Sequence, residues 1–261
     1  MEFNGGLYKY YIKKRMASLN TKFLRALDNL IRYPSVPYPD NEFRVVWTTR
    51  DKPVLNDLFE DLHSLDWIRL HSLYWAGERI DSLSLKGSVA ELGVYKGSFA
   101  RHINYLFPSR KIFLFDTFEG FSEDNLKSDF NKGYTTRELS VDSIRFADTH
   151  IDHIMSQMPN PENVIIRKGL FPETAKGLEN EDYCFVSLDC DLYQPILDGL
   201  NYFYPRLVKG GYIFLHDYAN PSYKGVHAAF SEFEKKNGDL LVFPLFDAHG
   251  TLVITKGLSS L

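Results

Sequence analysis

From residue 87 onward the chain alternates short apolar runs with helical patterns, and its last two apolar runs are joined without a helix. Few folds tolerate that rhythm. Strand-helix alternation covers both faces of a sheet, so its strands read as continuous apolar runs and pair in parallel. Strands are predicted over 88–93, 111–116, 163–167, 184–189, 211–215, 240–243 and 252–255, with helices over 98–106, 141–155, 173–178, 195–204 and 225–235. The link from Pro244 to Gly250 is too short for a crossover, so the last two strands should form an antiparallel hairpin at the sheet edge. The expected fold is α/β and Rossmann-like: a mostly parallel seven-stranded sheet with a C-terminal antiparallel hairpin.

Residues 1–85 follow a different pattern. Leu24, Leu27, Leu30 and Ile31 have helical spacing, Pro34, Pro37 and Pro39 then break the chain, and a second pattern runs through Leu58, Leu62, Leu65, Ile68, Leu70 and Leu73. We read 1–85 as a helical cap or dimerisation arm and 86–261 as the ligand-binding domain, and expect a homo-oligomer. Residues 122–136, polar and containing glycine, are expected to be a mobile loop beside the site.

Thirty basic against thirty-four acidic residues give a net charge of -4 without any block of like charge, which predicts no nucleic-acid or anionic-membrane surface. No window approaches the roughly twenty apolar residues needed to cross a bilayer, and the N-terminus has no stretch resembling a signal peptide. Cys184 and Cys190 lie in or beside one predicted strand, too far apart to bridge, so a reducing, cytoplasmic setting is expected.

The first strand ends in Glu91-Leu92-Gly93-Val94-Tyr95-Lys96-Gly97-Ser98 and a helix follows at once. Gly93 and Gly97 permit a sharp turn and close approach of a ligand, and the helix start at Ser98 offers free N–H groups to a carboxylate. The spacing departs from G-x-G-x-x-G, which argues against a pyrophosphate-bearing cofactor. An acid before the glycine, Glu91, would repel a pyrophosphate and attract an ammonium. Asp116 ends the second strand, where an acid accepts ribose hydroxyls in nucleotide-binding α/β folds. Glu91, the turn and Asp116 together point to S-adenosylmethionine. Gly169, after the third strand, lets the backbone approach an adenine.

Two acidic clusters stand at the ends of the fourth and fifth strands, Asp189 and Asp191 in the first and His216 and Asp217 in the second. Parallel strands would deliver all four side chains to one sheet edge, where open α/β folds bind ligands. Taken singly, each has a plainer reading: Asp191 as the cap of the helix near Pro195, His216 as the cap of the following loop.

The motifs Glu91-Leu92-Gly93-Val94-Tyr95-Lys96-Gly97, Phe115-Asp116-Thr117-Phe118-Glu119-Gly120, Lys168-Gly169-Leu170-Phe171-Pro172-Glu173-Thr174, Ser187-Leu188-Asp189-Cys190-Asp191-Leu192-Tyr193 and Gly210-Gly211-Tyr212-Ile213-Phe214-Leu215-His216-Asp217-Tyr218 occur in order from about residue 87 to 233. In this the chain resembles the macrocin O-methyltransferase family of S-adenosylmethionine-dependent sugar and macrolide methyltransferases, which have the class I methyltransferase fold. The resemblance implies cofactor contacts from Tyr95, Ser98, Thr117, Phe118 and Asp189 as well as Glu91, Gly93, Gly97, Asp116 and Gly169. It implies a divalent ion, magnesium or manganese, held by Asp189, His216 and Asp217, and Asp191 as general base. His216 departs from the family pattern, which has an aspartate there. Imidazole suits manganese, iron or zinc better than magnesium. A different metal, magnesium held by the two aspartates, and a metal-free site with His216 as base all stay open. The function so implied is methylation of a hydroxyl on a sugar, a glycan precursor or a glycosylated metabolite; the alternatives are a metal-independent methyltransferase and a non-catalytic cofactor-binding protein.

Overall fold

The computed structural model describes residues 67–136, 146–247 and 249–258. Of the arm expected over residues 1–85, positions 1–66 lie outside this range, as do residues 141–145 of one predicted helix. The first described element is α1 (Trp67–Ser82), which buries Leu70, Leu73, Ala76 and Ile80 and packs against the body of the domain.

The elements then follow as β1 (Ser88–Leu92), α2 (Ser98–Leu106), β2 (Ile112–Asp116), α3 (Glu123–Asn131), α4 (Ile151–Gln157), β3 (Val164–Lys168), β4 (Tyr183–Leu188), α5 (Tyr193–Arg206), β5 (Leu207–Leu215), α6 (Lys224–Asn237), β6 (Leu241–Pro244) and β7 (Leu252–Thr255). They build one seven-stranded sheet in the order β3-β2-β1-β4-β5-β7-β6. Strands β1 to β5 pair in parallel, and β7 runs antiparallel to both β5 and β6. This is the class I methyltransferase arrangement. The expected hairpin is present at the edge, with β6 exposed along its whole length.

Two expectations are corrected. Residues 122–136 contain a helix, α3: Glu123 and Asp124 occupy its first turn, where acids favour the helix dipole, and Leu126 is buried beneath it. The helix expected over 173–178 is only a 3₁₀ turn, Glu173–Ala175, because Gly177 takes a left-handed φ of 85° and ends it.

Packing holds these helices in place. None of α2 to α6 has a hydrogen bond from its own N-cap side chain, a contact worth only about 1 kcal/mol. In contrast Ile196, Leu200 and Phe203 of α5 and Val226, Phe230 and Phe233 of α6 are fully or almost fully buried, each contributing roughly 1.5–3 kcal/mol. The strand registers then level the site: Leu92 lies opposite both Phe115 and Leu188, and Leu188 opposite Leu215. The residues that follow, Gly93, Asp116, Asp189 and His216, therefore leave the sheet at one edge.

Candidate active site

That edge borders a cavity of about 670 Å³, at the point between β1 and β4 where the strand order reverses. Glu91, Gly93, Tyr95, Ser98, Asp116, Thr117, Gly169, Asp189, Asp191, His216 and Asp217 all line it. Gly97 and Phe118 do not. A Cβ on Gly97 would stand 2.9 Å from Ile154 Cγ2, so this glycine lets α2 seat against α4. Phe118 is buried, with φ at 52°.

Gly93 has a reason beyond ligand access. Its φ is 89°, and a Cβ there would stand 2.1 Å from the carbonyl oxygen of Asp189. The two strand ends are in backbone contact at that place: the Asp189 N–H donates to the Leu92 carbonyl at 2.8 Å. The turn is then fixed from β2. Asp116 Oδ2 accepts the N–H groups of Val94 at 2.7 Å and Tyr95 at 2.9 Å, and Oδ1 accepts that of Phe118 at 2.7 Å. Thr117 Oγ1 donates to the Gly120 carbonyl at 2.6 Å. Asp116 thus shapes the glycine turn as well as facing the cavity.

Glu91 is 1% exposed, and its Oε2 has no hydrogen-bond partner among the described residues. Burial pushes its carboxyl well above the usual range, against the opposing effect of Arg69. A buried, unpartnered acceptor in a cavity wall is costly unless a donor arrives. A ligand ammonium answers that need.

The reacting end is a network of charges. His216 Nδ1 lies 2.7 Å from Asp189 Oδ1 and 2.9 Å from Asp217 Oδ2. Arg69 Nη1 donates to Asp189 Oδ2 at 2.9 Å, and Arg69 Nη2 to Ser187 Oγ at 3.0 Å. Asp217 Oδ1 accepts from Asn220 Nδ2 at 2.5 Å, with His249 Nδ1 at 3.5 Å. Burial opposes charge on both aspartates, but His216 and, for Asp189, Arg69 outweigh it and hold both carboxyls below their usual range. For His216, burial and Arg69 favour the neutral ring, yet the two aspartates raise it to about 9.

Asp191 sits in the turn between β4 and α5 with a left-handed φ of 60°, an unusual conformation for a residue with a side chain, and shares a hydrogen bond with Asp217. It is not the N-cap residue of α5: that position is Leu192, and the first N–H of the helix, Tyr193, is taken by Asp129 Oδ2 at 3.0 Å from α3. Its left-handed placement on the cavity wall is the kind of strained position that clusters at functional sites.

A family model for macrocin-O-methyltransferase (TylF) matches residues 49–251. The chain belongs to the macrocin O-methyltransferase family. With this family it is an S-adenosylmethionine-dependent O-methyltransferase. It is 26% identical over 178 residues to mycinamicin III 3''-O-methyltransferase of Micromonospora griseorubida, covering 65% of this chain and 69% of that protein. It is 24% identical over 161 residues to 8-demethyl-8-(2,3-dimethoxy-alpha-L-rhamnosyl)-tetracenomycin-C 4'-O-methyltransferase of Streptomyces olivaceus, covering 58% and 60%. Among solved structures, the fold is similar to the O-methyltransferase NovP (TM-score 0.61, 20% identity, 73% of this chain and 80% of that one) and to the calicheamicin methyltransferase CalS11 (TM-score 0.59, 19% identity, 90% and 91%).

The cofactor of the family fits the cavity wall, where Glu91 Oε2 offers an acceptor and Gly93 and Gly169 present bare backbone. For a divalent ion the test comes out differently. One donor atom each from Asp189, His216 and Asp217 lies within 4.8 Å of the others, close enough to share an ion. Yet every oxygen of the two carboxylates already lies within hydrogen-bond distance of a side-chain nitrogen of the chain, and two of them share His216 Nδ1. A metal ligand must offer a bare lone pair. As arranged, the cluster does not fit a divalent ion. Arg69, Asn220 and His249 are the members of this network that motif reading misses; for Arg69 the one signal is a charge set within the apolar pattern of Ile68, Leu70 and Leu73.

Proposed function

We propose that the protein transfers the methyl group of S-adenosylmethionine to a hydroxyl of a sugar or of a glycosylated small molecule, with Asp191 as the general base. The activities of the two relatives support the acceptor class: both are O-methyltransferases, and that of Streptomyces olivaceus acts on a rhamnosyl compound. The observation that carries the base assignment is the placement of Asp191: on the cavity wall, in a strained turn, relieved of the helix-capping role.

When bound, the cofactor supplies an already activated methyl on its sulfonium, so the protein's part is alignment, proton removal and exclusion of water. Glu91 holds the ammonium end, and the turn shaped by Asp116 holds the nucleoside. Asp191 accepts the hydroxyl proton as the oxygen attacks. Its hydrogen bond to Asp217 holds one proton between the two carboxyls; that proton passes to solvent before the acceptor binds, leaving Asp191 ionised to act as base while Asp217 stays ionised facing His216. His216 is a weaker candidate for base, because its Nδ1 already serves two carboxylates. The divalent ion that the family resemblance implies has no step in this reading.

Of the arm expected over residues 1–85, α1 brings Arg69 and Leu70 to the cavity wall, and the enzyme acts as a homo-oligomer. Its two cysteines are free, in keeping with a reducing cytoplasm, and no helix among the described residues is long and apolar enough to cross a membrane. The decisive experiment pairs calorimetric titration of S-adenosylmethionine with turnover of a panel of glycosides. Asp191→Asn should bind the cofactor as the wild type does and lose about 100-fold or more in turnover. Undiminished turnover would remove Asp191 as base, and failure to bind the cofactor would remove the whole reading.

A further inference from the structure

We infer that the Arg69 guanidinium supplies, from the chain itself, the positive charge that a divalent ion would bring to Asp189, and that the side-chain nitrogens of His216 and Asn220 occupy the other carboxylate oxygens of Asp189 and Asp217, so that the site operates without a metal. The four carboxylate oxygens are the first reason. Asp189 Oδ2 accepts from Arg69, Asp189 Oδ1 and Asp217 Oδ2 flank one ring nitrogen of His216, and Asp217 Oδ1 accepts from Asn220. An ion would have to displace a nitrogen from each of these oxygens.

Arg69 cannot simply swing aside. It is 5% exposed, its second nitrogen is bonded to the buried Ser187 hydroxyl, and its guanidinium carbon lies 3.8 Å from the centre of the Phe99 ring. Leaving that seat would give up the bond to Ser187 and the stacking on Phe99. The leftover ring nitrogen, His216 Nε2, is buried with no partner among the described residues, and one imidazole nitrogen does not make an ion site.

The consequence reaches the acceptor, and this part rests on the O-methyl-transfer reading. An ion that chelates its substrate demands two neighbouring oxygens; a site of protein N–H donors makes no such demand. An acceptor for this enzyme need present only the hydroxyl that is methylated.

The test uses the full chain, stripped with a chelator and titrated with Mn²⁺ in the presence of S-adenosylhomocysteine, with free Mn²⁺ followed by electron paramagnetic resonance. We expect no saturable binding in the wild type below ~1 mM, and acquisition of one site at least ~10-fold tighter in His216→Asp, which restores a third carboxylate. A single saturable wild-type site that Asp189→Asn abolishes would overturn the inference. So would a His216→Asp chain that folds, by circular dichroism, and stays as blank as the wild type. If His216→Asp does not fold, the wild-type titration decides alone. Calorimetry of S-adenosylhomocysteine on the same samples reports on the cofactor reading separately.

Discussion

Arg69 of α1 donates to Asp189 at the end of β4 across 120 residues of chain, joining the helix that precedes the first motif to the acid that follows the fourth strand. The pair ties a part of the chain without cofactor motifs to the centre of the chemistry.

Breaking that pair should be felt in stability as well as activity. Arg69→Met keeps the stem that packs on Phe99 and removes the charge, leaving Asp189 with only His216. We expect a loss of about 2–4 kcal/mol in denaturant unfolding, toward the lower figure because Asp189 is partly open to the cavity. A change below about 0.5 kcal/mol, the range of ordinary surface substitutions, would mean that the ion pair is incidental.

The network also sets a pH window. The basicity of His216 is raised from 6.5 to about 9 in the fold. Its contribution to stability is therefore complete below about pH 6.5 and is lost as the pH rises through about 9. Asp189 is lowered and behaves oppositely, contributing above its ordinary carboxylate range and losing that contribution on acidification. The gap in melting temperature between wild type and His216→Gln should be widest near pH 6 and close by pH 10. A gap independent of pH would contradict the protonated ring.

The two glycines of the first motif should separate by mutation. Gly93→Ala drives a methyl onto the Asp189 backbone at 2.1 Å, where neither strand end can yield, and should prevent folding. Gly97→Ala meets only side-chain atoms of Ile154 and Met158, together with the strain of a φ of 80°. It should lower stability by about 1–3 kcal/mol while cofactor affinity falls little. Equal losses of binding in both, at matched stability, would disprove the division.

Asp116 accepts three backbone N–H groups. Asp116→Ala should therefore cost about 2–3 kcal/mol of stability, at about 1 kcal/mol per lost bond, in addition to weakening S-adenosylmethionine. Loss of affinity with an unchanged melting temperature would assign Asp116 to the ligand alone.

What the sequence makes legible here follows from where its signals are strong. The strands are continuous apolar runs, so β1, β2 and β4 fall within a residue or so of expectation, and the acids after them arrive together because parallel strands end on one edge. Helix α3 escapes because Asn125, Ser128, Asp129 and Asn131 are poor helix formers; tertiary contacts at Leu126 and Asp129 override their propensity. Arg69 escapes because nothing local marks it: its partner is set by the register of β4 and the docking of α1. Gly97 carries the family motif but acts through a contact with α4, some 57 residues away in sequence, that no spacing rule anticipates.

Helix α3 stands where an acceptor would be discriminated, with Ser122 and Asn125 on the cavity wall, and it also holds the first N–H of α5 through Asp129 while the nearby Tyr134 carbonyl holds the N–H of Lys224, where α6 begins. Both of those helices start just after the turns that carry Asp191 and Asp217. Retargeting this enzyme by exchanging the 122–134 segment is thus not a change of glove: a graft lacking an acceptor at position 129 would shift the turn that carries Asp191 along with this part of the cavity wall, and directed evolution would have to keep that aspartate while varying its neighbours.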